Sequence, residues 1–284
     1  MSFSIVGVVG SGIMASGIAE VVAASGSEVV VRARSQSSLD SMLKGLDKSL
    51  ARQVERGKRT EDDAAALRAR VRGTTDIADL ANCDLVIESV VEDLEVKLPL
   101  FRELDAAVKE GAILATNTST LPVVDMARVT SRPDKVVGVH FFNPATAMSL
   151  VEVVRPLTAS DDTVAAVTAF AAACGKEPVE VKDQAGFVVN ALLFPYLNNA
   201  IRLLELGVAS KEGIDTAMKG GCGFPMGPFA LLDLVGLDTS LAILEALHAE
   251  YADDHMAPRP MLRRLVSAGH LGRKSGRGFY DYAK

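Results

Sequence analysis

The chain has 284 residues, 49% apolar and 23% charged, enough to bury a sizeable core in two domains or one large α/β domain. A net charge of −6 gives nucleic acid or an anionic membrane no basic surface to meet, so any anion site must be local. Cys83, Cys174 and Cys222 are odd in number and lack ligand or CxxC spacing, which points to a reduced, cytoplasmic protein without a disulfide framework or a metal site.

The amino-terminal stretch IVGVVGSGIMASGIAEVVAASG is nearly uncharged, but it has no basic leader, is broken by glycines and carries Glu20. It reads as strand (Ser4 to Val9), glycine turn, helix (Ile13 to Ala24) and second strand (Glu28 to Val31), a βαβ unit opening a doubly wound sheet. Residues 37–72 are charged and rich in helix formers, with Gly57 as a break, and read as two amphipathic helices leaving the sheet. The strand pattern returns at Asp84 to Glu88, Ala112 to Ala115, Val136 to Phe142, Ser149 to Val154 and Pro178 to Val181. Helices are expected at Leu94 to Lys109 and Asp162 to Ala173. From Gly186 onward only helical patterns follow, at Phe187 to Leu206, Ser210 to Lys219, Pro228 to Asp233, Leu237 to Tyr251 and Met261 to Ala268. The expected fold is therefore α/β, a mostly parallel Rossmann-like sheet over residues 1–183 followed by a helical domain over 184–284.

Several stretches carry chemistry. Gly10-Ser11-Gly12-Ile13-Met14-Ala15 is a GxGxxA turn between strand and helix. That setting lets the backbone approach a pyrophosphate at a helix amino terminus. Glu92 and Lys97 sit just beyond a strand end, as either an ordinary ion pair or crevice residues. Thr116 to Thr120, which contains Asn117 and Ser119, is either a turn with a helix cap or a polar grip on substrate. Asn190 lies in an apolar helix start, where an amide must be bonded. Val136 to Val154 holds one ionisable group in each of two apolar runs. If these runs close as a hairpin about Thr146, His140 faces Glu152. The residues alone admit a core histidine with a structural acid, or a dyad in which the acid orients the ring for proton transfer. His248, His255 and His270 lack metal-ligand spacing.

With VGSGIMASGIAE, VIESVVEDLEVK, NTSTLP, HFFNPATAMSLVEVV, GFVVNALL, GFPMGPFALLDLVGLD and LGRKSGRGFYDY in order, the chain resembles the short-chain L-3-hydroxyacyl-CoA dehydrogenases, of the bacterial 3-hydroxybutyryl-CoA dehydrogenase type. The resemblance runs from about residue 4 to residue 282. It implies hydride transfer between C3 of a 3-hydroxyacyl-CoA and a nicotinamide, with His140 as base, Glu152 as its partner, Ser119 bonding the reacting oxygen and Asn190 placing the thioester. It further implies that Glu92, Lys97, Asn117 and Lys274 lie near the nicotinamide half of the cofactor. Ser49, Arg52 and Arg56 on the charged excursion would receive CoA, and the helical domain would form a homodimer.

One departure bears on the cofactor. The family's acid after the second strand is here Ala33, flanked by Arg32, Arg34 and Ser35, which favours NADP over NAD because no carboxylate repels a 2′-phosphate. Two other readings remain at this stage. One is a related dehydrogenase of a sugar acid, in the manner of gulonate dehydrogenases, which the basic excursion disfavours. The other is a catalytically silent dinucleotide-binding protein, for which the Ser119, His140, Glu152 and Asn190 set has no use.

Overall fold

The computed structural model describes residues 3–282. The chain divides into two units, one ending at Asp183 and one beginning at Gln184. In the first, β1 (Ile5–Val9), α1 (Ile13–Ala24) and β2 (Glu28–Arg32) form the opening βαβ unit. Then follow α2 (Gln36–Glu55), α3 (Glu61–Ala69) and β3 (Val71–Thr74). The rest is β4 (Leu85–Glu88), α4 (Leu94–Ala107), β5 (Ile113–Thr116), α5 (Val123–Ala127), β6 (Val136–Phe141), β7 (Leu150–Arg155), α6 (Asp161–Ala173) and β8 (Glu177–Lys182).

All eight strands make one sheet in the order β3-β2-β1-β4-β5-β6-β7-β8. Every neighbouring pair is parallel except β6 and β7. The central strands are buried on both faces, which is why they read as continuous apolar runs rather than alternating ones. Val8, Val31, Ile87, Val139 and Val153 share one core cluster with Ile18, Leu46 and Phe170. Removing a fully buried ring such as Phe170 costs about 3–5 kcal/mol in comparable cores.

The excursion begins as expected but does not stay helical to residue 72. The Ser35 hydroxyl caps α2 by accepting the Ser38 N–H. Leu39, Met42, Leu46 and Leu50, at helical spacing, turn inward. Gly57, at φ +65°, ends the pair's first arm. Thr60 then caps α3, whose first turn carries Glu61, Asp62 and Asp63 against the helix dipole. Residues 71–74 return to the sheet as β3. A Cβ on Gly73 would stand 2.7 Å from Leu39 Cδ1, so α2 lies on this strand where there is no side chain. The strand was hidden by Arg72 and Gly73, since only Val71 is fully buried.

The second unit contains α7 (Val189–Glu205), α8 (Lys211–Cys222), α9 (Pro228–Val235), α10 (Leu237–Tyr251) and α11 (Pro260–Ser267). Its core joins Phe194, Leu197, Ile201, Phe229, Leu232, Leu244 and Leu247. Two buried carboxylates clasp it. Asp215 accepts the Phe229 and Ala230 N–H groups and the Tyr280 hydroxyl, and Asp233 accepts the Phe279 and Tyr280 N–H groups and the Tyr282 hydroxyl. Among the described residues, no helix is long and apolar enough to cross a membrane.

Candidate active site

The turn after β1 is shaped by what it cannot carry. Gly10 has φ +138°, and a Cβ there would meet the Ser89 carbonyl oxygen at 2.3 Å. A Cβ on Gly12, by contrast, would face open space. Gly12 is also the N-cap of α1, which has no side-chain cap and no acid in its first turn. The first N–H groups of α1 are thus offered to an approaching anion, the arrangement a pyrophosphate needs. Ser11 and Met14 are half-buried around this turn, Ile13 is 79% exposed beside it, and Ala15 is fully buried beneath it.

β6 and β7 pair antiparallel in the register that sets His140 opposite Glu152. The His140 Nδ1 lies 2.7 Å from Glu152 Oε2, with the two residues 5% and 1% exposed. An ionised carboxylate only accepts, so Nδ1 carries the proton and Nε2 is the basic nitrogen. Nε2 faces Ser119 Oγ at 3.2 Å. The Phe142 ring packs against the imidazole with centroids 4.5 Å apart. Asn117, just past the end of β5, accepts the Phe141 N–H at its Oδ1 at 2.8 Å.

The turn after β5 is bound to a second set of groups. Glu92 Oε1 accepts the Thr118 hydroxyl at 2.6 Å and the Ser119 N–H at 2.7 Å. Lys97, expected like Glu92 near the nicotinamide half of the cofactor, is buried beside Glu88 and Glu92. It is 1% exposed, and its ammonium is held 2.7 and 2.8 Å from the two oxygens of Glu88, with Glu92 farther off at 3.4 Å. Glu88 was read only as a strand end, because its contacts cross from strand to helix and, to Thr116, from strand to strand. Asp183 was taken only as a boundary residue, yet its carboxylate accepts the Val123 and Val124 N–H groups and so caps α5, a helix the sequence pattern did not announce.

At the end of β2, Ala33 is 1% exposed and Arg34 is exposed. The strand ends at Arg32, so strand alternation does not carry Arg34 to the side of Arg32. Among the described residues no hydrogen-bond partner reaches the buried Arg32 Nε. The Ser35 hydroxyl is engaged with Ser37 and Ser38 at the amino end of α2, which has no acid in its first turn. A groove of about 380 Å³ lies between α1, α2 and residues 143–146. Ser49 and the buried Glu20 line it, whereas the exposed Arg52 and Arg56 do not. In the second unit, Asn190 is 7% exposed in the first turn of α7, and Lys274 donates to Asp238 at 2.6 Å. Among the described residues no group of three or more His, Cys, Asp or Glu could hold a metal ion.

A doubly wound sheet with a glycine cradle at its carboxyl edge, and a buried imidazole–carboxylate pair facing a serine, defines a dinucleotide-dependent dehydrogenase. Residues 5–184 match the family model described as 3-hydroxyacyl-CoA dehydrogenase, NAD binding domain, and residues 186–282 match that of the same family's C-terminal domain. The chain belongs to the 3-hydroxyacyl-CoA dehydrogenase family. It is 47% identical over 276 residues to a probable 3-hydroxybutyryl-CoA dehydrogenase of Deinococcus radiodurans, covering 97% of this chain and 99% of that one. It is 45% identical over 283 residues to the human mitochondrial hydroxyacyl-coenzyme A dehydrogenase, covering 97% of this chain and 90% of that one. The crystal structure of (S)-3-hydroxybutyryl-CoA dehydrogenase PaaH1 from Ralstonia eutropha superposes with a TM-score of 0.96 at 44% identity, covering both chains fully.

Proposed function

We propose that the protein interconverts a short-chain 3-hydroxyacyl-CoA and its 3-oxo partner, 3-hydroxybutyryl-CoA and acetoacetyl-CoA being the pair it works on. The observation that carries this reading is the 2.7 Å His140–Glu152 contact with Nε2 turned to Ser119. A bound nicotinamide supplies the acceptor for the C3 hydride and, in the reverse direction, the donor. Gly10 and Gly12 leave room for the dinucleotide backbone, and Ser11, Ile13 and Met14 border it. His140 takes the 3-hydroxyl proton at Nε2, Glu152 stabilises the imidazolium that results, and Ser119 holds the substrate oxygen. Asn190 places the thioester end, Asn117 and Glu92 border the nicotinamide half, and Lys274 serves the same half of the cofactor.

The CoA portion lies along α2, with Ser49 in the groove and Arg52 and Arg56 meeting its phosphates toward the helix end. The cofactor is NADP(H) in preference to NAD(H). With Ala33 in place of an acid, no carboxylate repels a 2′-phosphate, and the unpartnered Arg32 Nε, Arg34 and the acid-free start of α2 all favour an anion. One charge-assisted bond to that phosphate is worth about 1.5–3 kcal/mol, roughly tenfold or more in preference. The second unit forms a homodimer, supported by its exposed Leu192, Leu206 and Val208. Three free thiols suit a cytoplasmic setting.

The test is reduction of acetoacetyl-CoA with NADPH and NADH in parallel. Turnover with kcat/KM higher for NADPH is expected. No turnover with either cofactor overturns the dehydrogenase reading, and a higher value with NADH overturns the cofactor preference alone.

A further inference from the structure

We propose that Glu88 is a positioning residue for Ser119, acting through Lys97 and Glu92; this rests on the dehydrogenase reading above. Glu88 is fully buried, and all of its carboxylate is used. Oε1 accepts the Val90 N–H at 2.6 Å and the Lys97 ammonium at 2.7 Å. Oε2 accepts the same ammonium at 2.8 Å and the Thr116 hydroxyl at 2.7 Å. Lys97 is thereby fixed with one remaining direction, toward Glu92 Oε2 at 3.4 Å. The other oxygen of Glu92 receives the Thr118 hydroxyl and the Ser119 N–H, and the Thr120 N–H at 3.2 Å. The Glu88 backbone carbonyl also accepts the Asn117 N–H at 2.8 Å. The turn that carries Ser119 is therefore held on both sides of the serine by groups that lead back to one residue.

A fully buried ion pair is a poor device for stability, since matched apolar residues often do as well or better. What it supplies here is direction. Glu92 has a side chain 38% exposed, and the fixed cation beside its Oε2 adds to the Oε1 hydrogen bonds in holding it against the pull of water. The Ser119–His140 contact, at 3.2 Å, lies at the long end of the hydrogen-bond range, so the backbone of the turn shares in setting where Oγ stands. A displacement of about 1 Å at such a contact can cost on the order of 100-fold in rate.

Glu88→Gln keeps the shape and removes the charge. The Lys97 ammonium then turns to Glu92 and draws its carboxylate from the Ser119 N–H. The expected result is a kcat lower by about 10- to 100-fold, with KM for the thioester near wild type. The effect should also vanish in the Ser119→Ala background: the double variant Glu88→Gln/Ser119→Ala turns over as fast as Ser119→Ala alone. A wild-type kcat with a lowered Tm, or losses that multiply in the double variant, would show that Glu88 serves packing only and overturn the proposal. If Glu88→Gln does not fold, Glu88→Gln/Lys97→Met removes both charges, and the same cycle with Ser119→Ala gives the same two outcomes. A crystal structure of the folded variant reads the Ser119 Oγ to His140 Nε2 separation without substrate. Inactive wild-type enzyme would count against the dehydrogenase reading, whereas an unmoved Ser119 would count against the role of Glu88.

Discussion

Replacing Glu152 by Gln tests the chemistry at its most local point. The amide keeps the length and an acceptor oxygen, so the His140 ring keeps its orientation and only the charge is lost. That charge faces Nδ1 at 2.7 Å, with both residues nearly sealed from solvent, so water does not replace it. A hydrogen bond to a charged group is worth about 1.5–3 kcal/mol. The interaction is strongest once His140 has taken the proton, so the loss falls on the transition state rather than on binding. At about 1.4 kcal/mol per decade, kcat should fall by roughly 10- to 150-fold. KM for the nicotinamide should stay near wild type, because the glycine turn and α1 are untouched. Initial-rate assays of 3-hydroxybutyryl-CoA oxidation, the direction in which His140 gains the proton, with circular dichroism to establish folding, decide the matter. A Glu152→Gln enzyme within about twofold of wild-type kcat would refute the reasoning and leave Glu152 a structural acid.

His140→Ala removes the base itself and should lower kcat by about 10²–10⁴-fold in the same assay. Ala33→Asp should reverse the cofactor preference and Arg34→Ala should narrow it, measured as the ratio of kcat/KM for NADPH and NADH. Burial pushes the Asp105 carboxyl up, but the Ser131 amide, the Arg132 guanidinium and the Ser131 hydroxyl outweigh it and hold it below the usual carboxylate range. Its contribution to stability is therefore complete above that range and lost as pH falls through the folded value, so Asp105→Asn should flatten the acid limb of the urea midpoint against pH. Burial drives the Cys83 thiol up to about 11, while Cys222 is exposed, so a thiol reagent should label Cys222 in the native protein and Cys83 only after unfolding.

The hairpin that pairs His140 with Glu152 was legible because two apolar runs fold about one turn, and an antiparallel register then follows from arithmetic. The glycine turn was legible because strand, glycines and helix are contiguous. What escaped were features whose cause lies elsewhere in the chain. The sequence suggested Glu92 as the partner of Lys97 because the two are close along it, yet Glu88 on β4 holds the ammonium. Helix α5 has five residues and no cap within its own segment; Asp183 supplies one from the far side of β6, β7 and β8. β3 has one buried residue, so its place depends on Leu39 lying over Gly73 rather than on its own pattern.

The single antiparallel ladder has a consequence for how the site is assembled. Neighbouring parallel strands need a crossover between them, so residues facing each other there are brought together only by long-range folding. His140 and Glu152 are separated by one short loop, and the entropic cost of closing a loop grows with its length. Their geometry is thus set by a contact of low sequence separation, the kind that forms early and cheaply. An insertion or deletion within the α2–α3 excursion alters a crossover on the far side of the sheet and leaves that loop unchanged. The proton-transfer pair is in this sense modular, and the segment proposed to meet CoA can change length without retuning it.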